Sequence, residues 1–205
     1  ISAFIVASDT PGFTVKEKTQ LLSPHPIGVL SFEDCFVPQQ QMLGSEGEGL
    51  TIAFRTLDTL RCTVGAAAVG FASRALTEAI SYSQSRRQFG RAIGEFQGIQ
   101  FKLAEMAADL EAARLLVYQA AWTCDMGEPN LPLKSSIAKL FATEAAQRIV
   151  DQALQIHGGN GVVAGHITER LYRDVRALRI YEGSSEIQKL VIAKSLMHKE
   201  RPHGS

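Results

Sequence analysis

The spacing of hydrophobic positions changes near residue 44. Before it, Ala3–Ala7 and Ile27–Phe32 are short β-prone runs bounded by the turn formers Asp9-Thr-Pro-Gly12 and Ser23-Pro-His-Pro26. This pattern predicts two or three strands. So few strands make no independently stable sheet, so the segment needs a partner, either further sequence or the helices that follow. Gly44-Ser-Glu-Gly-Glu-Gly49 predicts a flexible hinge. Beyond it the period becomes helical. Leu57, Leu60, Val64, Ala67 and Phe71 predict an inward stripe on a helix over 50–86, and Gly90 and Gly94 mark a loop. The strongest stripe is Ile99, Leu103, Met106, Leu110, Ala113, Val117 and Ala120, which predicts a bundle helix over 97–126.

Gly127-Glu-Pro-Asn130 ends that helix, and Pro132 suits the first turn of the next. The next helix spans 133–157, with Ile137, Leu140, Phe141, Ile149 and Ile156 inward, and Gly158-Gly159-Asn160-Gly161 stops it. A short helix is expected near 166–173. The last helix runs over 185–199, with Ser185-x-x-Gln188 as a candidate capping box. The reading is therefore mainly α: an antiparallel four-helix bundle over 44–205, preceded by a partial β-domain over 1–43.

Composition narrows the functional classes. The 205 residues carry 21 Lys+Arg and 21 Asp+Glu, so no basic surplus points to nucleic acid or an anionic membrane. A hydrophobic fraction of 45% with 20% charged residues is a globular balance. No run has the length of a membrane span; Cys62–Ala72 is too short and too rich in small residues. Cys35, Cys62 and Cys124 are an odd number at wide spacings and form no disulfide or zinc pattern. That predicts a reducing compartment, the cytoplasm or the mitochondrial matrix, and no secretion. The chain opens on Ile1 inside a strand-like run, with no signal or transit segment ahead of it, as expected of a processed chain or one that starts within a domain. The tail Arg201–Ser205 has no structural pattern.

Common site types are missing. There is no P-loop, no G-x-G-x-x-G after a strand and no G-x-S-x-G elbow. The five histidines form no H-x-x-x-H pair, so no metal is expected. Three polar islands interrupt otherwise good helices: Ser85-Arg-Arg-Gln-Phe-Gly90 followed by Gln97, Gln155-Ile-His-Gly-Gly-Asn-Gly161, and Arg179-Ile-Tyr-Glu-Gly-Ser-Ser-Glu-Ile-Gln188. At helix ends, glycines and free N–H groups let an anionic or planar ligand approach. On these residues alone, Glu182 reads as a solvated acid near a helix N-terminus, Asp58 and Arg61 as a surface i,i+3 ion pair, and Gly158-Gly159 as an ordinary helix stop.

Taken together, R-x-Q-F-G at 86–90, Q-x-x-G-G-N-G at 155–161 and I-Y-E-G-S-S-E-I-Q at 180–188 resemble the C-terminal helical domain of the acyl-CoA dehydrogenase family over residues 44–199. His25-Pro-Ile-Gly-Val29 and Phe32-Glu-Asp34 resemble the end of that family's middle β-domain. The resemblance covers the chain but not the N-terminal domain or the first part of the β-domain.

The resemblance implies FAD-dependent oxidation of acyl-CoA thioesters to trans-2-enoyl-CoA. Electrons pass to an electron-transfer flavoprotein, or to oxygen in the related oxidases. It implies Glu182 as the base, with its backbone N–H and a flavin ribityl hydroxyl as donors to the thioester oxygen, and Gly183 beside the substrate. Such a base must be close and partly desolvated, because the α-C–H is a weak acid. The base position used by other subfamilies is Leu60 here, which cannot accept a proton. Asp58 and Arg61 would lie along the CoA moiety. Arg86, with Gln88 and Phe89, would meet the FAD pyrophosphate. Gln97, Gln155, Gly158 and Gly159 would hold the adenosine half, often of a neighbouring subunit, so a homodimer or homotetramer is expected. Ser184, where Thr is common, and Glu186 would touch the flavin end, and Arg173 and Asp174 would be structural. An alternative reading from another class is that this piece is only a helical oligomerisation module.

Overall fold

A computed structural model describes residues 1–199, and the tail Arg201–Ser205, expected to carry no structural pattern, lies outside them. The chain forms two compact units, Ile1–Leu57 and Asp58–Ser205.

In the first unit, β1 (Ala3–Phe4) pairs antiparallel with β4 (Met42–Leu43), and β2 (Phe13–Lys18) pairs antiparallel with β3 (Gly28–Phe32). The β2–β3 register shifts between Val15 and Glu17, a bulge that breaks the alternation and hides β2 from a period-two reading. Both pairs are two-stranded, and Val15, Val29, Leu30 and Phe32 stay exposed. The expected flexible hinge at 44–49 is instead a hydrogen-bonded loop. The Glu48 carboxylate accepts from the Ser45 N–H at 2.8 Å, the Gly47 N–H donates to the Ser2 hydroxyl at 3.0 Å, and the Gly49 N–H donates to the Ile1 carbonyl at 3.0 Å. Gly44 and Gly47 serve here by adopting φ of 67° and 89°, not by being loose.

The second unit is helical, and its first helix, α1 (Gly49–Ser85), begins within the first unit. α2 covers Gln97–Asp125, α3 Leu131–His157, α4 Ile167–Leu178 and α5 Ser185–Lys199. A two-residue hairpin, β5 (Arg87–Gln88) with β6 (Arg91–Ala92), links α1 to α2. The four long helices and the short fifth one match the mainly α expectation, although α4 runs five residues past the expected end at 173. No helix among the described residues is long and apolar enough to cross a membrane.

α3 is the central element, packed on α2, α4 and α5. Small residues dominate its buried positions, among them Ala138, Ala142, Ala145, Ala146 and Ala153, which lets its neighbours come close from several sides. The α2 stripe is buried as its spacing predicts: Met106, Leu110, Ala113, Val117 and Ala120 all lie in the core. The α1 stripe is rotated from the expected one. Leu60 and Ala67 are exposed, and the buried line is Arg61, Val64, Ala68, Ala72, Ala75 and Ala79. An alanine-rich face carries little hydrophobic contrast, so the larger but sparser Leu57, Leu60 and Phe71 outweigh it in a periodicity reading. Gly65 belongs to the buried line: a Cβ there would stand 2.9 Å from Val117 Cγ2, so the missing side chain sets how closely α1 approaches α2.

Candidate active site

The turn between α4 and α5 carries the Y-E-G-S island. Glu182 adopts φ 54°, a left-handed conformation that a residue with a Cβ enters at a cost, and Gly183 follows at φ 89°. Several contacts hold the turn. The fully buried Gln188 side chain donates to the carbonyls of Glu182 at 3.1 Å and Gly183 at 2.9 Å. Lys139 Nζ, from the middle of α3, donates to the same Gly183 carbonyl at 2.8 Å. The Ser185 hydroxyl and Arg179 Nε both donate to Glu144 Oε1, at 2.6 and 2.9 Å. The expected Ser185–Gln188 capping box is therefore not made: both side chains reach across the turn to other partners. Burial pushes the Glu144 carboxyl up, but the hydrogen bonds from Ser185 and Arg179 more than offset it and leave it below the usual range.

Glu182 is half-buried, and its Oε2 is shielded from solvent with no hydrogen-bond partner among the described residues. Burial raises its carboxyl above the ordinary range, against the pull of the Lys139 and Arg61 charges. Arg61 is only 5% exposed. It donates to Asp58 Oδ1 at 2.6 Å and lies 3.4 Å from the Ser136 hydroxyl. Asp58 and Arg61 are thus the expected i,i+3 ion pair, but a buried one, and burial raises the Asp58 carboxyl while Arg61 opposes the rise. Tyr181 is raised chiefly by burial and then by the adjacent Glu182 charge. Next to it stand the Ser184 hydroxyl and the exposed Glu186, whose carboxyl is lowered by its own backbone N–H and then by Ser184. The structure thus brings Asp58, Arg61, Glu182 and Gly183 into one electrostatic cluster, with Ser184 and Glu186 at the start of α5.

The other residues expected at the site lie elsewhere. Arg86, Gln88, Gly158 and Gly159 line a cleft of about 360 Å³ together with Tyr82, Ile93, Ile156, His157 and Asn160. The His157 ring stacks on Tyr82 at 4.3 Å, its Nδ1 lies 2.7 Å from the Ala153 carbonyl, and Asn160 Nδ2 donates to the Tyr82 hydroxyl at 3.3 Å. Gly158 sits at φ 56°, and a Cβ on Gly158 or Gly159 would meet nothing within 4 Å, so this wall of the cleft is open bare backbone. Phe89, at φ 53° on the hairpin tip, is 91% exposed and lines an adjoining apolar groove with Gln88, Phe96 and Ile99. Gln97 and Gln155 are exposed at helix ends and line neither cavity. Among the described residues no cluster of His, Cys, Asp or Glu could hold a metal ion.

Residues 47–197 match the family model described as acyl-CoA dehydrogenase, C-terminal domain. The chain belongs to the acyl-CoA dehydrogenase family. It is 45% identical over 203 residues to the short-chain specific acyl-CoA dehydrogenase, mitochondrial, of Rattus norvegicus, a match covering 98% of this chain and 49% of the relative. A chain in the structure of the electron transferring flavoprotein of Acidaminococcus fermentans, studied for flavin-based electron bifurcation, is 41% identical with a TM-score of 0.92, covering 96% of this chain and 52% of that one. The structure of PigA with FAD and proline is 32% identical with a TM-score of 0.91, covering 97% and 52%. The chain spans about half the length of the curated relatives it matches.

Sequence reasoning passed over Lys139, Ser136 and the structural use of Gln188. One signal was available in the sequence. Lys139 lies on the same helical phase as Ala142, Ala146, Ile149 and Ala153, and Arg61 on the phase of Ala68 and Ala72. A cation on an apolar stripe must find a buried partner.

The turn yields a prediction. A Cβ at position 183 would stand 2.7 Å from Gln188 Nε2 and 3.2 Å from Ile187 Cγ2, at a φ that side chains rarely adopt. Gly183→Ala is expected to cost about 1–3 kcal/mol of stability. Denaturant unfolding measures the loss.

Proposed function

We propose that this chain supplies the base and part of the cofactor cradle of an FAD-dependent acyl-CoA dehydrogenase that converts acyl-CoA thioesters to trans-2-enoyl-CoA. One observation carries the reading: a half-buried, raised carboxylate on a strained turn, with an oxygen that no group among the described residues satisfies. An α-proton next to a thioester is acquired best by a carboxylate that is desolvated and aimed, which is the state of Glu182. Its pKa, above that of an ordinary Glu, brings it nearer that of the weak acid it must deprotonate, while the two facing cations keep the ionised form accessible. The Glu182 backbone N–H is the chain's donor to the thioester oxygen, where charge develops as the proton leaves. Asp58 and Arg61 form an ion pair whose cation acts on Glu182, and both would meet the CoA moiety. Gly183, which the turn requires because a Cβ there would meet Gln188 and Ile187, would lie beside the substrate.

The residues of the second cleft fit FAD. Arg86 is an exposed cation at its mouth, Gln88 offers an amide, and the bare backbone of Gly158 and Gly159 forms a wall that a side chain would fill. Arg86, Gln88 and Phe89 would hold the pyrophosphate, Gln97, Gln155, Gly158 and Gly159 the adenosine half, and Ser184 and Glu186 the flavin end. When bound, FAD accepts the hydride from the β-carbon. Passage of electrons to an electron-transfer flavoprotein follows the resemblance and is supported by the Acidaminococcus fermentans neighbour. Assembly as a homodimer or homotetramer is supported by the exposed Phe89 groove beside the cleft. The three free cysteines and the mitochondrial relative support a reducing compartment, the cytoplasm or the mitochondrial matrix.

Glu182→Gln keeps shape and hydrogen bonding but accepts no proton. In the full-length enzyme it is expected to retain FAD and acyl-CoA binding, while anaerobic flavin bleaching by substrate slows at least ~10²-fold. Bleaching at the parental rate would assign the base to another group. Arg86→Ala is expected to weaken FAD binding by about 1.5–3 kcal/mol, the scale of a charge-assisted hydrogen bond. Flavin content after extended dialysis reads this directly, and an unchanged content would remove Arg86 from the cradle.

A further inference from the structure

We propose that Lys139 is a positioning residue for the Glu182 carboxylate: from the interior of α3 its ammonium fixes the Glu182–Gly183 turn and keeps Glu182 ionised at working pH. The proposal rests on the reading of Glu182 as the base.

The argument begins with cost. Lys139 has no exposed surface and is the largest fully buried side chain of the described residues. Placing an ammonium there costs several kcal/mol unless it is compensated. An apolar residue of similar length would fit an alanine-lined helix without that cost, so packing alone does not explain a lysine. Its hydrogen bond goes to a carbonyl of the strained turn, 44 residues away in sequence. That bond ties the rigid centre of the bundle to the segment that carries the base.

Charge explains the rest. The groups acting on Lys139 come from every side: Glu182 on the turn, Arg61 on α1, Glu144 on α3 itself and Glu186 on α5. Arg61 repels it, Glu144 is held by Ser185 and Arg179, and Glu186 is exposed. On the Glu182 side, Arg61 is committed to Asp58 at 2.6 Å, so Lys139 is the stronger of the two cations that favour the ionised carboxylate. Burial brings Lys139 down from 10.5 to about 8, which leaves it charged at neutral pH. Losing this charge therefore has a definite sign. Desolvation of Glu182 would be less opposed, its pKa would rise, and the ionised base would appear only at higher pH.

The test uses two variants of the full-length FAD-loaded enzyme. Lys139→Met removes both charge and donor; Lys139→Gln removes the charge but retains a donor for the Gly183 carbonyl. The acidic limb of the pH profile for anaerobic flavin reduction is expected to move up by about one pH unit or more in both, as for loss of an opposite charge beside a carboxylate. Thermal stability should recover in Lys139→Gln relative to Lys139→Met. Isotope-edited infrared titration of the Glu182 carboxyl, identified by its loss in Glu182→Gln, should show the same upward shift with no substrate present. An acidic limb and a carboxyl titration unmoved in both variants would overturn the proposal, and a shift in Lys139→Met alone would overturn its electrostatic part. Failure of the underlying reading looks different: Glu182→Gln would then reduce flavin at the parental rate, whatever the Lys139 variants do.

Discussion

A half-buried carboxylate on a left-handed turn is the constraint around which this fold is arranged. Removing Glu182 from water raises the free energy of its charged form. The chain answers with two buried cations on different helices, Arg61 on α1 and Lys139 on α3, and commits one of them to Asp58. Because both cations grow from core-facing stripes, the charge environment is as rigid as the packing of the bundle. Small residues on α3 and the missing side chain of Gly65 on α1 permit the close helix approach that this needs. Packing and charge are therefore linked: whatever loosens the core around α3 changes the acid strength of Glu182.

The second cleft shows the opposite strategy. It is built from an absence of side chains at Gly158 and Gly159, backed by a stacked pair, Tyr82 and His157, that stiffens the helix ends behind it. Where the Glu182 cluster needs desolvation, this wall needs backbone within reach of a ligand. The two regions meet the two demands of the proposed reaction, proton removal from one molecule and cofactor retention for another.

Much of this was legible in the sequence, for identifiable reasons. The α2 stripe, with large apolar residues at regular spacing, gave its buried face correctly, and glycine runs marked the helix ends. The α1 face was misread because its buried line is mostly alanine. β2 escaped because a bulge breaks its alternation. The polar islands pointed to Glu182 and to the Arg86 cleft. Lys139 and Gln188 did not stand out, because a lone lysine in a helix normally lies in solvent and a glutamine three residues after a serine normally caps. Only the three-dimensional turn shows that both side chains serve the same carbonyl. The loop at 44–49 reads as flexible from its glycines, and its order depends on contacts with Ile1 and Ser2 that no local pattern encodes.

The central claim is that Glu182 itself removes the proton next to the thioester. Exchange of that proton with solvent deuterium isolates this step from electron transfer. In the full-length enzyme with acyl-CoA in D2O, mass spectrometry should find deuterium entering the α-carbon with the parent protein and almost none with Glu182→Gln at equal substrate occupancy. Undiminished α-carbon labelling in Glu182→Gln would contradict the account.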